Sequence, residues 1–435
     1  MSLEWIGIVG IIILLLTLFL LGMPVGFAMA VVGFCGFWYI VSFRGAIAMV
    51  GGDIWSTFSA YGLTVIPLFI FMGYLAFNSG IAERLYNAAY KWVGHWPGGL
   101  AVATIGADEM FASICGSNTA TAATMGAVAL PQMQKYNYDP RLSTGTVATG
   151  GTLGTVMPPS VVLIIIGLQT GQSIAALFLA GILPAILLGS MFVATIFVIC
   201  RIHPNFGPPG PRTTFKEKLQ ALPGVLEALA IFVLVIGGLY GGLFTPTEAG
   251  AVGVFCTFIV SLTTGKLTWR GVKDAIRDTL WISCMCFFLI TGATIFGKFL
   301  AVTRLPFMVA DFAAALPVSK YVVLSIVMLI YVIGGCVMDA LGFLVVTIPI
   351  FFPLGLALGF DPIWYSIILT MVTTLGAITP PVGVNIYVVK ALAPGIALGD
   401  IFKSVSFFVI ASVMCIVILT VFPEIALFLP GLLRP

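Results

Sequence analysis

Charge is scarce in this chain. Of its 435 residues only 8% are Asp, Glu, Lys or Arg, against about a quarter in soluble domains. So little polar surface excludes an ordinary soluble domain, and a formal net charge of +3 offers no basic face for nucleic acid. Histidine is scarcer still, at two residues, which argues against a His-based metal centre or acid–base apparatus. The eight cysteines are scattered through apolar segments without a paired spacing. Cys284 and Cys286 stand close together, but with no second pair or His beside them they read as small buried hydrophobes. The first apolar run, Ile6–Leu21, lacks a basic leader and a small-residue cleavage site, so it reads as a spanning helix and not a removable signal.

Hydrophobic residues fill the gap, at 60% of the chain with mean hydropathy +1.16. That is the composition of a polytopic membrane protein, with about ten to twelve membrane segments at ~20 residues per crossing. In order, the expected spans are Ile6–Leu21, Val25–Val41 and Trp55–Phe77, then a polar surface piece at Ile81–Trp96. A segment over 98–134, interrupted at Cys115-Gly-Ser-Asn118, fits two short helices that dip into the membrane and return. A broken element over 141–168 and a span at Ser173–Cys200 complete a first half, residues 1–205. A basic, proline-rich link at 206–220 follows, which the positive-inside rule places in the cytoplasm. The second half, 221–435, has expected spans Leu222–Leu243, Thr247–Leu262 and Trp281–Val302, with a surface piece at Leu267–Arg277. It then has a hairpin over 321–357 with its tip near Gly334-Gly-Cys336, a broken element over 361–391, and Ile401–Phe428.

The two broken elements organise the rest. Gly150-Gly-Thr-Leu-Gly-Thr-Val-Met-Pro-Pro-Ser160 and Thr374-Leu-Gly-Ala-Ile-Thr-Pro-Pro-Val382 both lie in apolar surroundings. Proline lacks an amide hydrogen and clashes with the preceding turn, so each helix must break at its double proline. Unpaired peptide groups at membrane depth are tolerated only where they face protein or a polar cavity. The breaks also belong to a repeat. Pro24 and Pro246, Pro131 and Pro353, Asp139 and Asp361, Gly154 and Gly376, and Pro158 and Pro380 are each 222 positions apart. Five coincidences at one offset imply duplication. With an odd number of crossings per half the copies are inverted, which puts both termini on the periplasmic face. The expected fold is an all-α polytopic membrane protein of two inverted-topology repeats, each with a re-entrant hairpin and a broken transmembrane helix. Repeats of this kind, with breaks at matching positions, mark a secondary transporter and its binding site.

A tip facing a break offers free carbonyls to a hard cation and helix N-terminal amides to an anion. The first half brings Ser113, Gly116, Ser117 and Asn118 against Gly154, Thr155 and Met157; the second brings Gly335 and Asp339 against Gly376, Thr379 and Val382. Thr119, Thr121 and Thr124 fit equally well as caps or interhelical bonds. Charges within apolar segments are costly unless paired or solvated. Asp339 is expected to touch substrate or ion, Lys298 to snorkel to the interface, and Arg304 to suit a carboxylate or sulfonate. Asp108 and Glu109 are left without a role, lining an aqueous opening being one option. Glu248 is expected to cap a helix start with Thr245.

Four motifs carry a resemblance over nearly the whole chain: Phe244-Thr-Pro-Thr-Glu-Ala-Gly-Ala-Val-Gly253, Cys115-Gly-Ser-Asn-Thr-Ala-Thr-Ala-Ala-Thr-Met-Gly126, Gly154-Thr-Val-Met-Pro-Pro-Ser160 and Gly376-Ala-Ile-Thr-Pro-Pro-Val-Gly383. Together they resemble the large membrane subunit of TRAP (tripartite ATP-independent periplasmic) transporters. The resemblance implies an elevator-type ion-transporter fold in the bacterial inner membrane, with no cofactor beyond sodium as coupling ion. It implies as partners a separate small four-helix membrane subunit and a periplasmic substrate-binding protein that delivers an organic anion. It places one sodium site at Ser113, Cys115, Gly116, Ser117, Gly154 and Met157, and a second at Gly335, Gly376, Thr379 and Val382. Cys115 stands where many relatives carry Ser, so the ligand implied there is a backbone one. Asn118, Asp339 and Arg304 are the implied substrate contacts. A stand-alone sodium/organic-anion symporter has a similar plan, and an intramembrane enzyme using Asp108, Glu109 and Asp339 is a more distant alternative.

Overall fold

In a computed structural model, which describes residues 2–432, the chain is helical throughout, with no strand among the described residues. Ten helices there are long and apolar enough to cross a membrane. The duplication is visible element by element. Asn118–Lys135 and Ala340–Ala357 are 222 positions apart at both ends, as are the starts of Pro140–Gly150 and Pro362–Gly376. Asp139 and Asp361 cap those two starts in the same way, each accepting from the amide two residues on.

Each repeat crosses five times, counting the broken helix once and the returning hairpin not at all. Five is odd, so the copies are inverted. Scaffold helices pair across the repeats: Val25–Ile40 lies along Trp269–Thr303, and Val65–Asn78 along Pro246–Thr263. The hairpins and broken helices form a second body. Lys320–Val337 packs on Pro362–Gly376, Asn118–Lys135 on Pro140–Gly150, and Leu398–Val421 on Pro140–Gly150. The first broken helix is almost wholly buried, whereas Leu3–Leu21 turns most of its surface outward, as a lipid-facing helix does.

Several boundaries differ from expectation, four of them for a clear local reason. The span expected at Trp55–Phe77 is split into Phe43–Phe58, a 3-10 turn at Tyr61–Thr64, and Val65–Asn78. Pro67 has no amide to give the Leu63 carbonyl, and the tight turn sits there. Its counterpart runs unbroken as Trp269–Thr303, joining the pieces expected at Leu267–Arg277 and Trp281–Val302, because no Gly or Pro interrupts Asp278–Leu280. The second tip lies at Met338 and Asp339, not at Gly334-Gly-Cys336: the helix tolerates both glycines and stops where Asp339 can cap the next one. The link is shorter than 206–220, because a Thr214–Glu217 capping box starts Phe215–Tyr240 inside it. The same box forms at Thr245 and Glu248, as expected.

Candidate functional site

The two hairpin tips and the two breaks meet around one cavity. In the first repeat Gly99–Cys115 ends at Gly116, whose φ of +63° is a left-handed turn that favours glycine, and Asn118–Lys135 begins after Ser117. A side chain on Gly116 would strike the Pro159 carbonyl, and one on Gly154 would strike Ser117. Thr155 Oγ1 donates to Asn118 Oδ1, tying break to tip. Ser113 is buried and donates to the Met110 carbonyl at 2.7 Å; Met157, in the break, is buried too.

The second repeat repeats the contact with different residues. Gly335 packs on Thr373 and Gly376 backbone to backbone. The Gly383 amide donates to the Cys336 carbonyl at 3.1 Å, closing the break onto the hairpin. Thr379 Oγ1 donates to the Leu375 carbonyl at 2.7 Å, which leaves its oxygen lone pairs free. Val382 is half-buried beside it. Asn385 crosses the pseudo-symmetry: its Nδ2 donates 3.1 Å to the Ala148 carbonyl of the first broken helix.

The sequence-predicted residues therefore fall in two layers. Cys115, Gly116, Ser117, Asn118 and Asp339 line one cavity of about 650 Å3 between the tips. Gly154, Gly335 and Gly376 lie in the seams where each hairpin meets its break, with Ser113 in the first hairpin arm and Thr379 and Val382 in the second break. Four helices begin at the cavity wall: Asn118, Ala340, Val161 and Val384 are first-turn residues there. The positive dipole ends of these helices lie at the wall, a surround suited to an anion. The lining includes two carboxylates, Asp278 and Asp339, and no Lys or Arg.

Arg304 and Lys298 are placed otherwise than expected, and Asp108 and Glu109, left open above, find their places. Arg304 does not reach the cavity. It sits exposed at a left-handed corner between Trp269–Thr303 and Leu305–Ala315. Lys298 does not snorkel free; it pairs with the buried carboxylate of Asp53, 245 residues away. Asp108 and Glu109 do not line the tip cavity: their carboxylates are buried against Gly150 and Gly189. The sequence reading missed Ser160, wholly buried beside Gly116 with no partner for its hydroxyl. The repeat offset applied to Val382 leads to it.

A family model described as "Tripartite ATP-independent periplasmic transporter, DctM component" matches residues 12–425. The chain belongs to this family. The permease is 32% identical over 379 residues to the C4-dicarboxylate TRAP transporter large permease protein DctM of Pseudomonas aeruginosa, covering 87% of this chain and 88% of that one. It is 30% identical over 418 residues to the sialic acid TRAP transporter large permease protein SiaM of Vibrio cholerae, covering 96% and 97%. In fold it resembles the YdaH transporter of Alcanivorax borkumensis, with a TM-score of 0.60 at 14% identity over 88% of this chain and 90% of that one. This TRAP large permease is thus a multi-pass integral membrane protein of a transport system and not an enzyme.

Proposed function

We propose that this permease imports a small organic anion, a carboxylate or sulfonate, across the bacterial inner membrane, driven by sodium. The observation that carries the reading is the convergence of four helix N-termini on the tip cavity, backed by two seams of close-packed glycine backbone. The amides hold the anion. The seams hold sodium through carbonyl oxygens, with Ser113, Ser117, Gly154 and Met157 around one ion and Gly335, Gly376, Thr379 and Val382 around the other. The hairpin-and-break body moves against the scaffold as an elevator, with Asn118 and Asp339 travelling with the cargo. The acidic Asp339 sits among those amides, so it orients a hydroxyl or water of the cargo, or a cation beside it, and not the anionic group. Arg304 is not part of this site.

Relatives in the family carry names for C4-dicarboxylate and sialic acid, both organic acids, which supports the substrate class. A tripartite system calls for two further parts, a small membrane subunit and a periplasmic binding protein. With the 203–214 link cytoplasmic, both termini are periplasmic, and the tip cavity opens toward the cytoplasm between Tyr74, Phe77 and Asp278.

The test is reconstitution of the permease with its small subunit in proteoliposomes. Uptake of radiolabelled substrate should require both the cognate binding protein and an inward sodium gradient. Uptake by the permease alone would favour a stand-alone symporter, and uptake indifferent to sodium would sink the coupling.

A further inference from the structure

A second cavity, of about 690 Å3, lies between the scaffold and the hairpin-and-break body, away from the tips. Its scaffold wall is built from Ser56 to Leu63 on one side and Ile290 to Ala301 on the other; the core wall comes from Gln169, Thr170 and Pro349. Two features set it apart. First, the scaffold helix of the first repeat is broken here, at Ser59 and Ala60, while its duplicate is continuous. Broken backbone at membrane depth is tolerated against protein or a polar cavity, and Ala60 at this break lines the cavity. Second, the lining holds a cation and no acid: Lys298 is half-exposed, and Asp53, which binds it, is buried behind the wall. Asp53 takes one of the three ammonium donors, leaving two for a ligand. Thr294 and Gln169 add polar groups around it.

The tip cavity and this one differ in the groups they offer. One has carboxylates and helix N-termini; the other has an ammonium group and hydroxyls. We propose that the second cavity is a separate anion site, on the opposite side of the membrane from the opening of the tip cavity. There Lys298 receives a small carboxylate or sulfonate before the tips collect it. The inference rests on the uptake reading for its direction, but the binding itself does not depend on transport.

The test uses reconstituted permease with its small subunit and a Thr294→Cys substitution, in a background where the exposed Cys35 and Cys284 are alanine. Labelling from the side opposite the 203–214 link is compared for an anionic sulfonatoethyl and a cationic trimethylammonium-ethyl methanethiosulfonate, each normalised to a free thiol. A cavity that concentrates anions should favour the sulfonate by about tenfold. The double substitution Asp53→Asn with Lys298→Gln, which strands no buried charge, should bring the ratio near one. No labelling from that side, a parent ratio near or below one, or a preference that survives the double substitution would each overturn the site. Loss of uptake with the sulfonate preference intact would count against the transport reading alone.

Discussion

Gly335 and Gly376 touch backbone to backbone, so closely that a Cβ on Gly376 would overlap Gly335, while one on Gly335 would strike the Thr373 carbonyl. One lies in a hairpin arm and the other ends the first half of a broken helix, so the contact sets how tightly hairpin and break close. Gly376→Ala must push the two apart, at about 1–3 kcal/mol for an overpacked site, and should abolish sodium-driven uptake. Gly395→Ala, with nothing around it, should leave both stability and uptake alone. Thermal unfolding of the purified variants checks this; wild-type stability in Gly376→Ala would mean the seam is looser than described.

Thr379 is the side chain in that seam best placed to add a ligand oxygen, since its hydroxyl hydrogen is already spent on Leu375. Thr379→Val keeps the shape and deletes the oxygen. Losing one such contact costs about 1 kcal/mol, or roughly fivefold in apparent sodium affinity. The readout is the sodium activation curve of uptake, and an unmoved midpoint would exclude Thr379 as a ligand.

How much of this was legible beforehand follows from which signals are local. The double prolines dictate a break whatever surrounds them, and Gly116 in Cys115-Gly-Ser-Asn118 marks a turn because only glycine takes its φ easily. Gly334 and Gly335 look similar on paper, yet the helix runs through them, because close packing against Gly376 and Phe343 uses their missing side chains instead. The Lys298–Asp53 pair joins residues 245 apart, and nothing near Lys298 in sequence announces it. Arg304 fitted the chemistry of an anion site by residue type alone; only the fold places it at an outer corner. The repeat was the strongest non-local signal, and carried further it would have located Ser160 and paired Ser117 with Asp339.

Asp339 caps Ala340–Ala357, accepting from the Leu341 amide at 3.2 Å, and lines the tip cavity. Asn caps a helix nearly as well as Asp, so Asp339→Asn removes charge while keeping the fold. Uptake should fall by about tenfold, the scale of one charge-assisted hydrogen bond, with the unfolding temperature unchanged. Wild-type uptake would remove Asp339 from the site.

Lys298→Met strands the buried carboxylate of Asp53, whose Oδ2 already has no partner. Because Lys298 is half in solvent, the loss should be about 2 kcal/mol and not the larger figure for a fully buried pair. Adding Asp53→Asn should recover most of it, which a double-mutant cycle in unfolding would register. Additive losses would show that the two side chains do not stabilise each other.

The direction of transport depends on which face carries the link between repeats. Residues 203–214 are tethered to the base of the first hairpin, with Gly98 donating to the Gly207 carbonyl at 2.8 Å and Asp139 to Phe206 at 2.9 Å. The hairpin must therefore enter from the same face as the link. Arg201, His203, Arg212, Lys216 and Lys218 gather around it, an excess that holds a loop in the cytoplasm. Arg212 lies in the exposed part of the link, so Arg212→Cys should react with an impermeant thiol reagent in inside-out vesicles and stay silent in spheroplasts. Because the repeats are inverted, labelling from outside would turn the whole assignment over at once: the tip cavity would open to the periplasm and the Lys298 cavity to the cytoplasm.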